Sequence, residues 1–76
     1  MVTSLTRLSV KDAMTAEISS LEQDGWVVGS FKRLENSLHV SMCHGNKQML
    51  IAAYFYINLI VFCKNGQVIK IIRTSK

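Results

Sequence analysis

The chain has 76 residues, 49% hydrophobic and 18% charged, with four glycines, no proline and a formal net charge of +4. That length holds one small domain, 1–76, and excludes a second lobe or an interdomain cleft. The charged share is below the usual ~25% and apolar content is high, which excludes disorder as the main state.

Charge is split along the chain. Up to Asp24, Arg7 and Lys11 face Asp12, Glu17, Glu22 and Asp24; beyond it, Lys32, Arg33, Lys47, Lys64, Lys70, Arg73 and Lys76 face Glu35 alone. An acidic front and a basic back suit an acidic partner or nucleic acid, and equally a solvated basic surface. Nothing at the amino terminus resembles a secretory leader. The expectation is a reduced, cytoplasmic chain in which Cys43 and Cys63 are unpaired core thiols.

Residues 1–8 alternate weakly (Val2, Ser4, Thr6, Leu8), the pattern of a short edge strand. Ser9 reads as a helix N-cap with Asp12 three residues on. Val10, Met14, Ile18 and Leu21, with Ala13 beside them, form one apolar stripe, and Gly25 suits a left-handed C-cap. A helix over 9–24 follows. The period then changes to two: strands over 26–34 and 37–44 flank a turn at Glu35-Asn36. Gly45-Asn46 and Asn65-Gly66 are further two-residue turn signals. Between them runs Met49 to Cys63, whose fifteen residues are interrupted by Asn58 and fall short of the ~20 needed to span a membrane. Its β-branched and aromatic content favours strand, and 67–74 supplies the last one. The expected fold is α+β, one N-terminal helix on a four-stranded antiparallel meander (α-β-β-β-β). A second short helix at 47–57, capped by Asn46, is the alternative.

Counting outward from the turns sets Lys32 against His39 and Ala52, and Phe31 against Val40 and Ile51. One face then collects Val27, Phe31, Leu38, Val40, Met42, Met49 and Ile51 beneath the helix; the other holds Ser30, Lys32, His39, Ser41 and Cys43. In the closing hairpin the same counting sets Phe62 against Ile69 and Ile60 against Ile71, on the face away from the helix. Leu59, Val61, Val68 and Ile72 then point toward the helix. Tyr54, Tyr56, Ile60, Phe62, Ile69 and Ile71 form the expected interface, on the order of 600 Å² of apolar surface, at the limit for a soluble monomer. A second copy is the simplest cover, because a two-fold pair of sheets is self-complementary. Residues 1–8 folding across that face are the intramolecular alternative.

Chemistry has little support. On a strand His39 and Cys43 lie about 13 Å apart, and Cys43 and His44 point to opposite faces, so no metal site, and no cofactor, is expected. The same geometry disfavours a Cys43–Cys63 disulfide. No thiol or hydroxyl stands beside a base with an orienting acid, so no catalytic group is assigned. Lys32, Lys64 and Arg73, with Tyr54 and Tyr56, make a candidate nucleic-acid face. Lys70 on the last strand reads as a guard against edge-to-edge pairing.

Leu21-Glu22-Gln23-Asp24-Gly25-Trp26, a helix end running through Gly-Trp into a strand, resembles the opening of the HicA-type mRNA-interferase toxins. The resemblance implies a small basic α+β protein that cleaves RNA with one histidine on a later strand, and His39 is the corresponding residue. The family's Gly-Ser-His is absent, with Ser37-Leu38 preceding His39, and the apolar second half has no counterpart. The principal expectation is an intracellular interaction or regulatory module, not an enzyme, that binds through its sheet to a second copy or another protein. The alternative is an RNA-binding or RNA-cleaving protein.

Overall fold

Ser9 ends the extended lead-in and starts the helix. Its hydroxyl accepts from the Asp12 amide at 3.2 Å, and the Ala13 amide donates to the Ser9 carbonyl at 2.8 Å. In the computed structural model, which describes residues 1–75, α1 runs Val10–Gln23. Its end is a Schellman turn: Trp26 N–H donates to the Leu21 carbonyl (3.0 Å) and Gly25 N–H to that of Glu22 (3.1 Å). Gly25 has φ +97°, and a Cβ there would lie 2.9 Å from His44 Nε2. The His44 ring packs beside Trp26, with centroids 5.5 Å apart.

Six strands form one mixed sheet: β1 (Val2–Thr6), β2 (Val27–Arg33), β3 (Ser37–His44), β4 (Lys47–Tyr54), β5 (Leu59–Lys64) and β6 (Gln67–Thr74). Their spatial order is β1-β6-β5-β4-β3-β2. All neighbours are antiparallel except β1 and β6, which run parallel with Val2 opposite Lys70 and Thr6 opposite Thr74. The α+β class holds, but the sheet is six-stranded and mixed, where a four-stranded antiparallel meander was expected. Residues 47–57 contain no helix. The added strands are β1, recruited from the weakly alternating start, and β5, separated from β4 by a turn over 55–58.

That turn has a geometric consequence. Its four residues set Tyr54 against Leu59, Ala53 against Ile60 and Ile51 against Phe62. Even-numbered residues of β5 therefore share a face with odd-numbered residues of β4. Ile60 and Phe62 join Val40, Met42, Ile51 and Ala53 beneath α1, at 0% and 4% exposure. A continuous strand across 47–63 would have turned both outward. Asn58 makes the reversal with φ +54°, a conformation asparagine tolerates better than most residues.

A second irregularity lies across the last hairpin. Asn65-Gly66 is a two-residue turn with positive φ at both positions, so Lys64 faces Gln67. A bulge then inserts Ile69, and Phe62 pairs with Lys70, Val61 with Ile71 and Ile60 with Ile72. The expected pairs Phe62–Ile69 and Ile60–Ile71 are each displaced by one residue. Leu59 and Val61 face away from the helix because of the turn at 55–58, and the bulge leaves Val68 on that open face while Ile72 lies beneath the helix. Lys70 is not an edge guard, since β1 covers its strand; its ammonium pairs with Glu17 of α1 at 2.8 Å and lies over the Phe62 ring.

Replacement of Gly25 by alanine is expected to cost about 1–2 kcal/mol, from left-handed backbone strain and the approach to His44. Urea denaturation reads this as a lowered midpoint with unchanged slope.

Candidate functional site

α1 packs over β4 and β5, and the whole opposite face of the sheet has no covering layer. Strand registers define what that face presents. One row across the sheet runs Lys32, His39, Ala52, Val61, Ile71 and Thr3; the next runs Ser37, Tyr54, Leu59, Arg73 and Leu5. A third row holds Ser30, Ser41, Leu50, Cys63 and Val68. The middle of the face is aliphatic, with serines at one flank.

Leu50 is 46% exposed at the centre of its row, and Leu5 and Val68 are exposed on β1 and β6. Tyr54, Leu59, Val61, Cys63 and Ile71 are half-buried by their neighbours on the same face. Beside Leu50 and Cys63 a hollow of about 390 Å³ opens, bounded also by Ser41, Gln48 and Asn65. On the β3 side the polar groups satisfy one another: Ser37 Oγ and His39 Nε2 are 3.0 Å apart, and the His39 ring meets Tyr54 edge-on at 6.0 Å.

The expected interface residues are therefore divided. Tyr54 and Ile71 lie on the uncovered face, as expected. Tyr56 is 81% exposed in the 55–58 turn, past the end of β4 and outside the paired strands. Ile60 and Phe62 are core, and Ile69, the bulged residue, packs against the core from its margin. Of the basic residues, Lys32 and Arg73 belong to the uncovered face, whereas Lys64 alternates to the helix side next to the turn. Sequence reasoning missed Leu50, Leu59, Val61 and Cys63 as surface candidates. Asn58, the one turn-prone residue inside the apolar run, was the signal that could have found them.

The charge on this face has one sign. Asp12, Glu17 and Glu22 are on α1, Asp24 caps it and Glu35 sits in the β2–β3 turn, so no carboxylate occupies a strand position on the open side. His39 has a serine and a tyrosine beside it, and neither of its strand neighbours across β2 and β4, Lys32 and Ala52, is an acid. Cys43 and Cys63 are free thiols on that face with β4 between them, two strand spacings across and two residues along, about 12 Å apart and beyond disulfide reach. Among the described residues no group of three His, Cys, Asp or Glu side chains is placed to hold a metal ion. Nor is any helix there long and apolar enough to cross a membrane.

Comparison with protein-family models, curated proteins and solved structures finds no match. The chemistry of the surface itself is the guide to function.

Removing the Ser37 hydroxyl, in Ser37→Ala, is expected to cost about 1 kcal/mol by depriving the half-buried His39 of its partner. Thermal melting of the variant beside the parent checks this, with little change expected from the exposed neighbour substitution Ser30→Ala.

Proposed function

We propose that this protein is a small binding module, and that its uncovered sheet face packs against the same face of a second copy. The observation that supports this reading is the aliphatic surface made by Leu50, Leu59, Val61, Cys63 and Ile71 around the buried Ala52, opposite the single helix. Six strands spaced ~4.8 Å apart and ~20 Å long present roughly 550 Å² per copy, so a pair removes roughly 1,100 Å² from water. That is the low end of specific interfaces, which fits a dimer in exchange with monomer at micromolar concentrations. Two such sheets pack about 10 Å apart, with aliphatic side chains interdigitating between them. The half-burial of Leu59, Val61 and Ile71 within one copy limits their rotamer freedom beforehand, which lowers the entropic cost of association.

Leu50→Asp places a carboxylate at the exposed centre of this face, and Val61→Asp places one in the adjoining row. Sedimentation equilibrium over a micromolar to millimolar series is expected to show a dimer for the parent chain and a monomer for Leu50→Asp. Leu50 is exposed enough for that variant to fold, which circular dichroism verifies, so loss of the dimer is separable from loss of the fold. A parent chain that stays monomeric throughout the series overturns the proposal.

One observation favours a second reading: the open face carries Lys32 and Arg73 with no carboxylate among its strand positions. A single-stranded RNA lying across Tyr54 and His39 would use both cations. Under this reading RNA affinity falls steeply with salt, and Lys32→Ala with Arg73→Ala flattens the salt slope by about two charges. Fluorescence anisotropy of a labelled oligonucleotide measures it; absence of salt-dependent binding removes the RNA reading and leaves the dimer untouched.

A further inference from the structure

A helix is about 10 Å across and covers roughly two strands of a sheet. Centred on β4 and β5, α1 leaves the β2–β3 flank of its own side uncovered. A groove of about 530 Å³ runs there, walled by Met14, Thr15 and Ile18 of α1 and floored by Phe31, Leu38 and Phe55. Phe31 is 65% exposed although it lies on the helix-bearing face beside fully buried Val40. Every residue of β2 is exposed.

The groove has electrical polarity. Lys11 and Arg33 stand at its head, near the N-terminus of α1, and no acidic side chain lines it. Arg33 is held over the Phe55 ring, 5.1 Å from its centroid, so its charge is fixed at the rim. The amino end of α1 adds its dipole to the same end. Glu22 follows on the α1 stripe of Lys11, Thr15 and Ile18, about 16 Å beyond Lys11 and outside the lining, so the cations stand at one end only.

We infer that this groove receives an amphipathic helix from a different protein, with acidic residues at the end that docks beside Lys11 and Arg33. The strip left free is about one helix wide, the lining is apolar and aromatic, and the rim charges are complementary to an acidic terminus. A second copy of this chain does not fit the part. The one helix among the described residues already commits its apolar stripe, Val10, Ala13 and Met14, to its own core. The groove lies on the other side of the sheet from the proposed dimer face, so the two surfaces can be tested independently.

The probe is a synthetic peptide of about 18 residues with leucines at i, i+3, i+4 and i+7 and glutamates at its N-terminal end and polar face. A matched peptide has lysines in place of the glutamates. Titrations are read by amide chemical-shift changes in the full chain carrying Leu50→Asp, or in the parent chain should that variant not fold. The acidic peptide is expected to shift Phe31, Leu38, Phe55 and Ile18 and to bind roughly tenfold tighter than the basic one. Phe31→Ser weakens it roughly tenfold or more, and Lys11→Glu with Arg33→Glu inverts the peptide preference. No binding at millimolar peptide, equal affinity for both peptides, or shifts confined to Tyr54, Val61 and Ile71 each overturn the inference. So does a response to anionic vesicles at Phe31 with none to the acidic peptide.

Discussion

One helix cannot cover a six-stranded sheet. At strand spacings of ~4.8 Å the sheet is about 24 Å wide from first strand to last, more than twice the diameter of α1. The chain resolves this mismatch by concentrating its largest apolar side chains where α1 lies. Met42, Ile51 and Ile60 are fully buried beneath it, and Phe62 and Val40 nearly so. Exposure on that side rises with distance from this line, through Leu38 and Ile69 to Phe31 on β2 and Val2 on β1. The uncovered face and the open flank beside β2 are two results of the same shortage of covering layer.

What could be read from the sequence was whatever a local pattern specifies. Ser9, the stripe Val10–Met14–Ile18–Leu21 and Gly25 define α1 because capping and periodicity act within a few residues. Glu35-Asn36 and Gly45-Asn46 are turns of an even, minimal length, and the rows Lys32–His39–Ala52 and Phe31–Val40–Ile51 occur in the structure as counted. Val27 departs from its assigned face because a bulge at Gly29 shifts the β2–β3 register. The parallel pairing of β1 with β6 had no local signal, since it joins residues nearly seventy positions apart. The surface residues were illegible for a sharper reason. Periodicity of two gives faces only relative to a fixed turn length, and a four-residue reversal hidden in an apolar run exchanges them. The conclusion that the sheet is apolar on both sides nevertheless holds, because it depends on how many aliphatic residues the strands contain and not on their parity.

The charge asymmetry along the chain becomes an asymmetry between layers. Carboxylates gather on and around α1, and the strands carry most of the cations, so the two layers attract across the Lys70–Glu17 contact. That ion pair is partly solvent-exposed and contributes little to stability by itself. Its position is more informative: it fixes α1 on its β6 side, where the helix also borders a smaller hollow of about 240 Å³ between Ala13, Ala16, Ser4, Thr6 and Ile72. On the β2 side no ion pair ties α1 to the sheet among the described residues, and there the gap is the wider one.

Both outer strands, β1 and β2, present backbone groups to solvent, yet edge-to-edge pairing is poorly served at either. β2 has a bulge between Val28 and Ser30 and two adjacent cations, Lys32 and Arg33. A bulge breaks the regular spacing of N–H and C=O groups that an incoming strand must match. In an antiparallel pair of two β2 strands centred on Ser30, each copy's Lys32 and Arg33 would meet the partner's Val28 and Val27, so polar and apolar ends would be opposed. β1 has only five residues, which limits the number of ladder hydrogen bonds it could offer. With both edges blunted, growth of the sheet sideways is disfavoured, and burial of apolar surface falls to its faces. A face closes after one partner docks, whereas an edge reproduces itself with each strand added. A protein with this much exposed aliphatic surface is therefore better served by the arrangement it has: irregular borders around a regular centre.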